Sequence, residues 1–167
     1  MQTFLAYPDF KLSLQILDVK RLGKQRLEAL QILKMITPHY TIDETLKFFP
    51  SKEMRIFKHG WKNHPAVLMW IGYENALALY YNISLEVWKD RGYKQTMLQA
   101  TICNGKDIIM PDWFGNDEFH ASHRSNLLRK KKEFYNQYGW TEKDDLEYVW
   151  PVRGTTESLL KTRIVIE

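Results

Sequence analysis

Apolar residues recur at three- and four-residue steps along most of this chain, and strand-like alternation is short and rare. That period belongs to helices that pack through one face. The longest run predicts a first helix from residue 9 to about 36, with Asp9 as N-cap after Pro8 and Pro38 ending it. Ile16, Val19, Gly23, Leu27 and Leu30 form its apolar face, widened by Leu22, Leu33 and Ile36. Arg21, Lys24, Gln25 and Glu28 follow the same spacing on the opposite side. A mid-helix glycine costs about 1 kcal/mol relative to alanine, so Gly23 points to close approach of another backbone.

A second long helix is expected from residue 65 to about 91. Asn63 or His64 would cap it, Pro65 suits its first turn, and Gly92 closes it. One apolar stripe holds Val67, Ile71, Ala78, Tyr81, Leu85 and Trp88; another holds Met69, Tyr73, Ala76, Tyr80, Ile83 and Val87. A helix apolar over so much of its surface is central and buried. Glu74 falls on the first stripe. Two short helices are expected at 43–49 and 51–58, either side of Pro50, and another at 94–103. Residues 104–119 read as loop, with Pro111 and Gly115. A basic helix follows from about 122 to 138, closed by Gly139. Residues 148–152 look extended, and 162–167 read as an edge strand or a disordered end. The expected fold is mainly α: a compact single-domain helical bundle over residues 1–152, with two long helices and a basic third, and a C-terminal extension at 153–167.

Composition narrows the function. At 167 residues, 44% hydrophobic and 26% charged, the chain is neither collagen-like, low-complexity nor disordered. A net charge of +4 leans toward a polyanionic partner. Cys103 is the one cysteine, which excludes an internal disulfide framework and a Cys-based zinc site and points to a reducing compartment. The first residues lack the pattern of a signal peptide, and no stretch is long and apolar enough to span a bilayer. An intracellular protein, cytoplasmic or nucleoid- or nucleus-associated, with no membrane partner is expected; the oligomeric state is not indicated. Aromatic residues reach 14%, which means a dense core or surfaces that stack on flat ligands.

Glu28 stands among Arg21, Lys24 and Gln25. That is either a solvated face held by Lys24–Glu28 pairing or a carboxylate placed for acid/base work on a phosphodiester-bearing substrate. His64 either caps its helix and fills a gap against Trp61, or donates to a substrate as a neutral imidazole. The segment from His120 to Lys132 is the most basic, with His123, Arg124 and Arg129 near a helix start. It is a solvated helix face or a phosphate contact. His120 and His123 have metal-ligand spacing but no third ligand, so no metal is expected. Trp113-Phe114-Gly115 either stacks on bases or pins its loop to the core. Asn82-Ile83-Ser84 matches a glycosylation acceptor but falls inside a helix expected to be buried. No P-loop, Rossmann glycine pattern, GxSxG or CxxC occurs, and no cofactor is expected.

The chain resembles the pyrimidine dimer DNA glycosylase family, of the phage endonuclease V type, and most closely an uncharacterised cellular branch of it. The branch is carried by Met1-Gln2-Thr3-Phe4-Leu5, Arg21-Leu22-Gly23-Lys24-Gln25-Arg26, His64-Pro65-Ala66-Val67, Ser122-His123-Arg124-Ser125 and Tyr148-Val149-Trp150-Pro151-Val152. To the characterised glycosylases the match is positional: Glu28 on a long first helix, His64-x-x-Val67, a long helix ending Lys89-Asp90-Arg91-Gly92-Tyr93, and a basic helix ending Phe134-Tyr135-Asn136-Gln137-Tyr138.

The resemblance implies a compact helical DNA glycosylase with abasic-site lyase activity on damaged pyrimidines. It implies attack on the anomeric carbon by the chain's own α-amine, with Glu28 as acid/base and β-elimination from the resulting imine. It also implies phosphate-holding arginines, with Arg21 and Arg26 nearest. An α-amine titrates near about 7.7–8.0 and supplies a usable neutral nucleophile. The family exposes a threonine amine by removing Met; here Gln2 is large, Thr3 is internal, and Met1 is expected to stay. The amine would then be that of Met1, with Lys20 or Lys24 as alternatives. Leu27 stands where an arginine before the glutamate is expected. The resulting site is Met1, Glu28 and His64, with Arg21, Lys24, Arg26, His123, Arg124 and Arg129 on DNA. Two other readings stand beside it: a non-catalytic nucleic-acid or nucleotide-binding module, and a small-molecule enzyme using Glu28 with His64.

Overall fold

The chain begins inside its own core. Residues 2–6 are buried without regular secondary structure, and buried backbone groups that join no ladder need other partners. Side chains supply them. Gln25 Oε1 accepts from the Phe4 N–H at 2.9 Å and Gln25 Nε2 donates to the Gln2 carbonyl at 3.0 Å. The Tyr80 hydroxyl donates to the Phe4 carbonyl, His123 Nδ1 accepts from the Leu5 N–H, and His120 Nδ1 pairs with the Leu5 carbonyl. Arg124 Nη1 reaches the Ala6 carbonyl.

The computed structural model describes residues 1–36, 61, 63–102 and 108–152. Within them the fold is mainly α and carries no strand. Its helices are α1 (Phe10–Gln15), α2 (Val19–Ile36), α3 (Pro65–Leu68), α4 (Glu74–Asp90) and α5 (Asp117–Tyr135), which runs into a 3-10 turn, Asn136–Tyr138. Helices α1 and α2 both pack on α4, and α3 touches α2. Trp70, Tyr80, Tyr81, Phe119 and Tyr135 are the largest fully buried side chains. No described helix is long and apolar enough to cross a membrane. The helices expected at 43–49 and 51–58, Cys103, and the extension at 153–167 lie outside the described residues.

Asp9 caps α1 as expected, accepting from the Leu12 N–H at 2.7 Å. The single first helix is instead two. Asp18 Oδ1 accepts from the N–H groups of Lys20 and Arg21 and starts α2 afresh, while the buried Tyr135 hydroxyl donates to Asp18 Oδ2. This break resets the helical phase. The buried stripe of α2 is Leu22, Gln25, Ala29, Ile32 and Ile36, whereas Val19 and Leu27 are about half exposed, at 46% and 51%. Gly23 admits a side chain rather than a backbone, since a Cβ there would stand 3.4 Å from the Trp88 ring.

The second long helix also divides. His64 and Pro65 open α3, but turns through Gly72, at φ +90°, separate it from α4. Glu74 therefore sits in the first turn of α4, its carboxylate accepting from the Gly72 N–H. Gly92, at φ +81°, follows the end of α4 as expected. The described part of 94–103 is not helical: Asn82 pairs with both backbone groups of Ala100, and the Tyr81 hydroxyl holds the Leu98 carbonyl. Helix α5 starts five residues early, because Asn116 caps it by accepting from the Phe119 N–H. Gly139, at φ +64°, closes the 3-10 turn. Trp113 pins its loop, buried with its Nε1 donating to the Met69 carbonyl.

After Gly139 the chain runs back along α5. Arg124 holds Glu142, Ser125 holds the Lys143 carbonyl, Asn126 holds the Leu146 carbonyl, and Ser122 Oγ accepts from the Val149 N–H. This return carries Tyr148 and Trp150 toward the first residues of the chain.

Candidate active site

Gln25 is the pivot. One turn further along α2, the half-buried Glu28 carboxylate accepts from the Gln2 N–H at 3.2 Å and lies 3.5 Å from Gln25 Nε2. The backbone of Met1 is thus drawn to the carboxylate. Met1 is partly buried against the core.

His64 lies close enough to the chain's α-amine to feel its charge. Its Nδ1 accepts from the Ala66 N–H at 3.0 Å, as an N-cap should. Burial lowers its pKa, and the positive charge of the chain's α-amine lowers it further. Neutral imidazole is therefore the form at neutral pH. The ring stands 5.3 Å from Trp61 and 5.8 Å from Trp150.

Cations rim the Glu28 side. Arg21 bridges to Asp18 at 2.5 Å and lies over the Tyr135 ring. Burial lowers the Lys130 pKa most, with Arg21, Arg129 and Lys24 adding to the fall and Glu28 opposing it. These four cations and one carboxylate therefore share one electrostatic neighbourhood. Tyr148 belongs to it as well. Burial raises its phenol, while the Gln2 side chain and the charges of Arg129 and Arg21 oppose the rise and Glu28 adds to it.

Of the residues singled out in the sequence, Met1, Glu28, His64, Arg21, Lys24 and Arg129 come together. The other three do not. Arg26 lies 3.8 Å over the Trp88 ring and donates to Gln95, because its side chain faces α4. Arg124 is committed to Glu142 and the Ala6 carbonyl. His123 is fully buried, its pKa pushed down to about 3 by desolvation, with the nearby His120 contributing. The two histidines clamp the Leu5 backbone between their Nδ1 atoms. Among the described residues no group of three or more His, Cys, Asp or Glu is placed to hold a metal ion. The alternative amine Lys20 is exposed at the start of α2, its backbone N–H on Asp18.

Sequence reasoning set Gln25 beside Glu28 on a polar face, where the structure buries it, and missed Lys130, Tyr148 and Trp150 as parts of the site. Lys130 was hidden in a run of lysines that the fold sorts: Lys131 lies over Phe134, and Lys132 pairs with Asp144. For Tyr148 and Trp150 the available signal was two rings in a segment without helical period.

The arrangement offers a carboxylate able to exchange a proton, an adjacent chain terminus, a neutral imidazole and a cationic rim. The model of the family described as pyrimidine dimer DNA glycosylase matches residues 1–100, which include Met1, Gln25, Glu28 and His64. No curated protein and no solved structure matches the chain.

Proposed function

Because the chain belongs to the pyrimidine dimer DNA glycosylase family, we propose that it is a DNA repair glycosylase with abasic-site lyase activity on damaged pyrimidines. In this reading the Met1 α-amine attacks C1′ of the damaged nucleotide and the base leaves with the bonding electron pair. Glu28 protonates the sugar ring oxygen as the ring opens to an imine. Loss of a C2′ proton then expels the 3′ phosphate. Arg21, Lys24, Arg129 and Lys130 hold flanking phosphates, as cations on a nucleic-acid backbone do. His64 lines the site as a neutral donor.

The observation that carries this reading is the 3.2 Å hydrogen bond from the Gln2 N–H to Glu28, which tethers the chain terminus to a carboxylate beside the cationic rim. A neutral amine beside a general acid is what imine formation requires.

The test is borohydride trapping on duplexes carrying a cyclobutane pyrimidine dimer or an abasic site, with N-terminally acetylated protein as control. A trapped adduct on the dimer duplex, lost on acetylation, is expected. An adduct that survives acetylation moves the nucleophile to a lysine. Binding to both duplexes with no adduct replaces the enzyme by a binding module.

A further inference from the structure

The return of the chain along α5 forms no helix, yet side chains of α5 pin it along its length. Arg124 holds Glu142, Ser125 holds the Lys143 carbonyl, Asn126 holds the Leu146 carbonyl and Ser122 holds the Val149 N–H. Ser122, Ser125 and Asn126 are themselves buried. A segment without a ladder of its own is fixed in place by such contacts, and here they fix the position of Tyr148.

The Tyr148 ring packs on His123 at 5.4 Å and on Trp150 at 5.2 Å. His123 also accepts from the Leu5 N–H, and Trp150 meets His64. The Tyr148 hydroxyl is hydrogen-bonded to the Gln2 side chain. Neither that hydroxyl nor Gln2 Nε2 meets any other polar group among the described residues. A buried amide and phenol that have only each other are both left unsatisfied when either is removed.

Gln2 adjoins Met1, and each of its polar groups is engaged. Its N–H donates to Glu28, its carbonyl accepts from Gln25 and its Oε1 accepts from the Thr3 N–H. Glu28 and Gln25 both stand on α2, and Thr3 is the next residue in the chain. Of these contacts, that with Tyr148 alone comes from a distant part of the fold. Two contacts along one helix leave a segment free to pivot about the line that joins them. A third contact from a different element stops the pivot.

We propose that Tyr148 is a positioning residue for the chain terminus: through the Gln2 carboxamide it fixes the Met1 α-amine beside Glu28. That the amine so held is a nucleophile rests on the function proposed above. Tyr148 lies beyond residues 1–100, so the region that matches the family does not include it.

Tyr148→Phe removes the hydroxyl and keeps the ring against His123 and Trp150. The first measurement needs no DNA: the full chain is pulse-acetylated and mapped by mass spectrometry, with the exposed Lys20 as internal standard. One neutral hydrogen bond corresponds to roughly 2- to 12-fold in an equilibrium, and the Met1 α-amine should react faster by a factor in that range, relative to Lys20. The second is single-turnover nicking of a saturating abasic duplex, which should slow within the same range while duplex affinity stays unchanged. Gln2→Met keeps the length and loses the carboxamide, so it should reproduce both changes. The double variant should be no slower than Gln2→Met alone, because both substitutions remove one contact. A ring that only stabilises the fold would instead add its loss to that of Gln2→Met. An unchanged ratio of Met1 to Lys20 labelling in Tyr148→Phe overturns the proposal, whether or not an imine forms. Additive losses in the double variant overturn it too, as does an unchanged nicking rate against an active wild type. A wild type that neither traps nor nicks ends the glycosylase reading instead, and the labelling ratio still decides whether Tyr148 holds the terminus.

Discussion

The backbone N–H of Gln2 and the carboxylate of Glu28, 26 residues apart in sequence, meet at 3.2 Å. That contact ties the position of the chain terminus to the second half of α2. Removing the charge while keeping the shape separates chemistry from anchoring. Glu28→Gln retains an oxygen that can accept from Gln2 but cannot deliver a proton at neutral pH. General acid/base catalysis contributes on the order of 10²- to 10⁴-fold, and single-turnover nicking of an abasic duplex should slow by that much. The urea midpoint should move by less than about 1 kcal/mol equivalent. An unchanged rate would remove Glu28 from the reaction.

Gln25 is fully buried and holds four groups: the Phe4 N–H, the Gln2 carbonyl, the Tyr80 hydroxyl and, more loosely, Glu28. Gln25→Leu keeps the volume and leaves the Phe4 N–H and the Gln2 carbonyl without that partner, while the Tyr80 hydroxyl keeps the Phe4 carbonyl. Each unsatisfied buried group costs about 1–3 kcal/mol, so a loss of roughly 3–5 kcal/mol is expected in urea unfolding. A loss below 1 kcal/mol would mean that the first residues reorganise without it.

His123 predicts a pH dependence of stability. The folded ring takes up a proton only near pH 3, whereas the unfolded ring does so near 6.5. Between these values the unfolded chain binds the extra proton, so stability rises with pH and is lost as pH falls from about 6.5. The slope is about 1.4 kcal/mol per pH unit for one such group. His120 and His64, also lowered chiefly by burial, add in the same direction. His123→Asn should be less stable at pH 7 yet show a flatter profile between pH 6 and 4. A variant with the wild-type slope would assign the dependence to the other histidines.

The cations divide into two groups with different expected effects. Each phosphate contact to duplex DNA contributes about −0.9 to the slope of log affinity against log salt. Lys24→Ala or Lys130→Ala should reduce the slope by about 1 and leave melting nearly unchanged. Arg124→Ala should do the reverse, because its guanidinium is occupied by Glu142 and the Ala6 carbonyl. Arg26→Ala belongs with Arg124, losing its contact with Trp88. A slope change of the Lys24 kind in Arg26→Ala would place that side chain on DNA after all.

What was legible in the sequence was local. The Asp9 cap, the His64-Pro65 helix start, the stops at Gly92 and Gly139 and the buried character of α4 all emerge where the period and the turn residues put them. Each depends on hydrogen bonds or side-chain spacing within about one helical turn. The breaks at Asp18 and Gly72 were not legible in that way. A continuous apolar period crosses both, and at Asp18 the interruption is held by Tyr135, 117 residues away. Within α2 the buried stripe takes in a polar glutamine at position 25 and leaves the leucine at position 27 facing outward.

The sequence by itself determined a mainly helical chain, its family over residues 1–100, and the glutamate, histidine and several cations of the candidate site. Only the tertiary structure decided which of those residues meet. Arg26 and Arg124 differ from Arg21 and Lys24 in what packs against them, not in spacing or residue type. His123 became a core acceptor because the Leu5 backbone, 118 residues earlier, needed one. The physical reason is that a helix specifies its faces locally, but the buried face is chosen by the polar groups that the rest of the chain brings to be satisfied. Here those groups belong to the first six residues, which form no ladder and draw Gln25, His120, His123 and Arg124 inward to meet them.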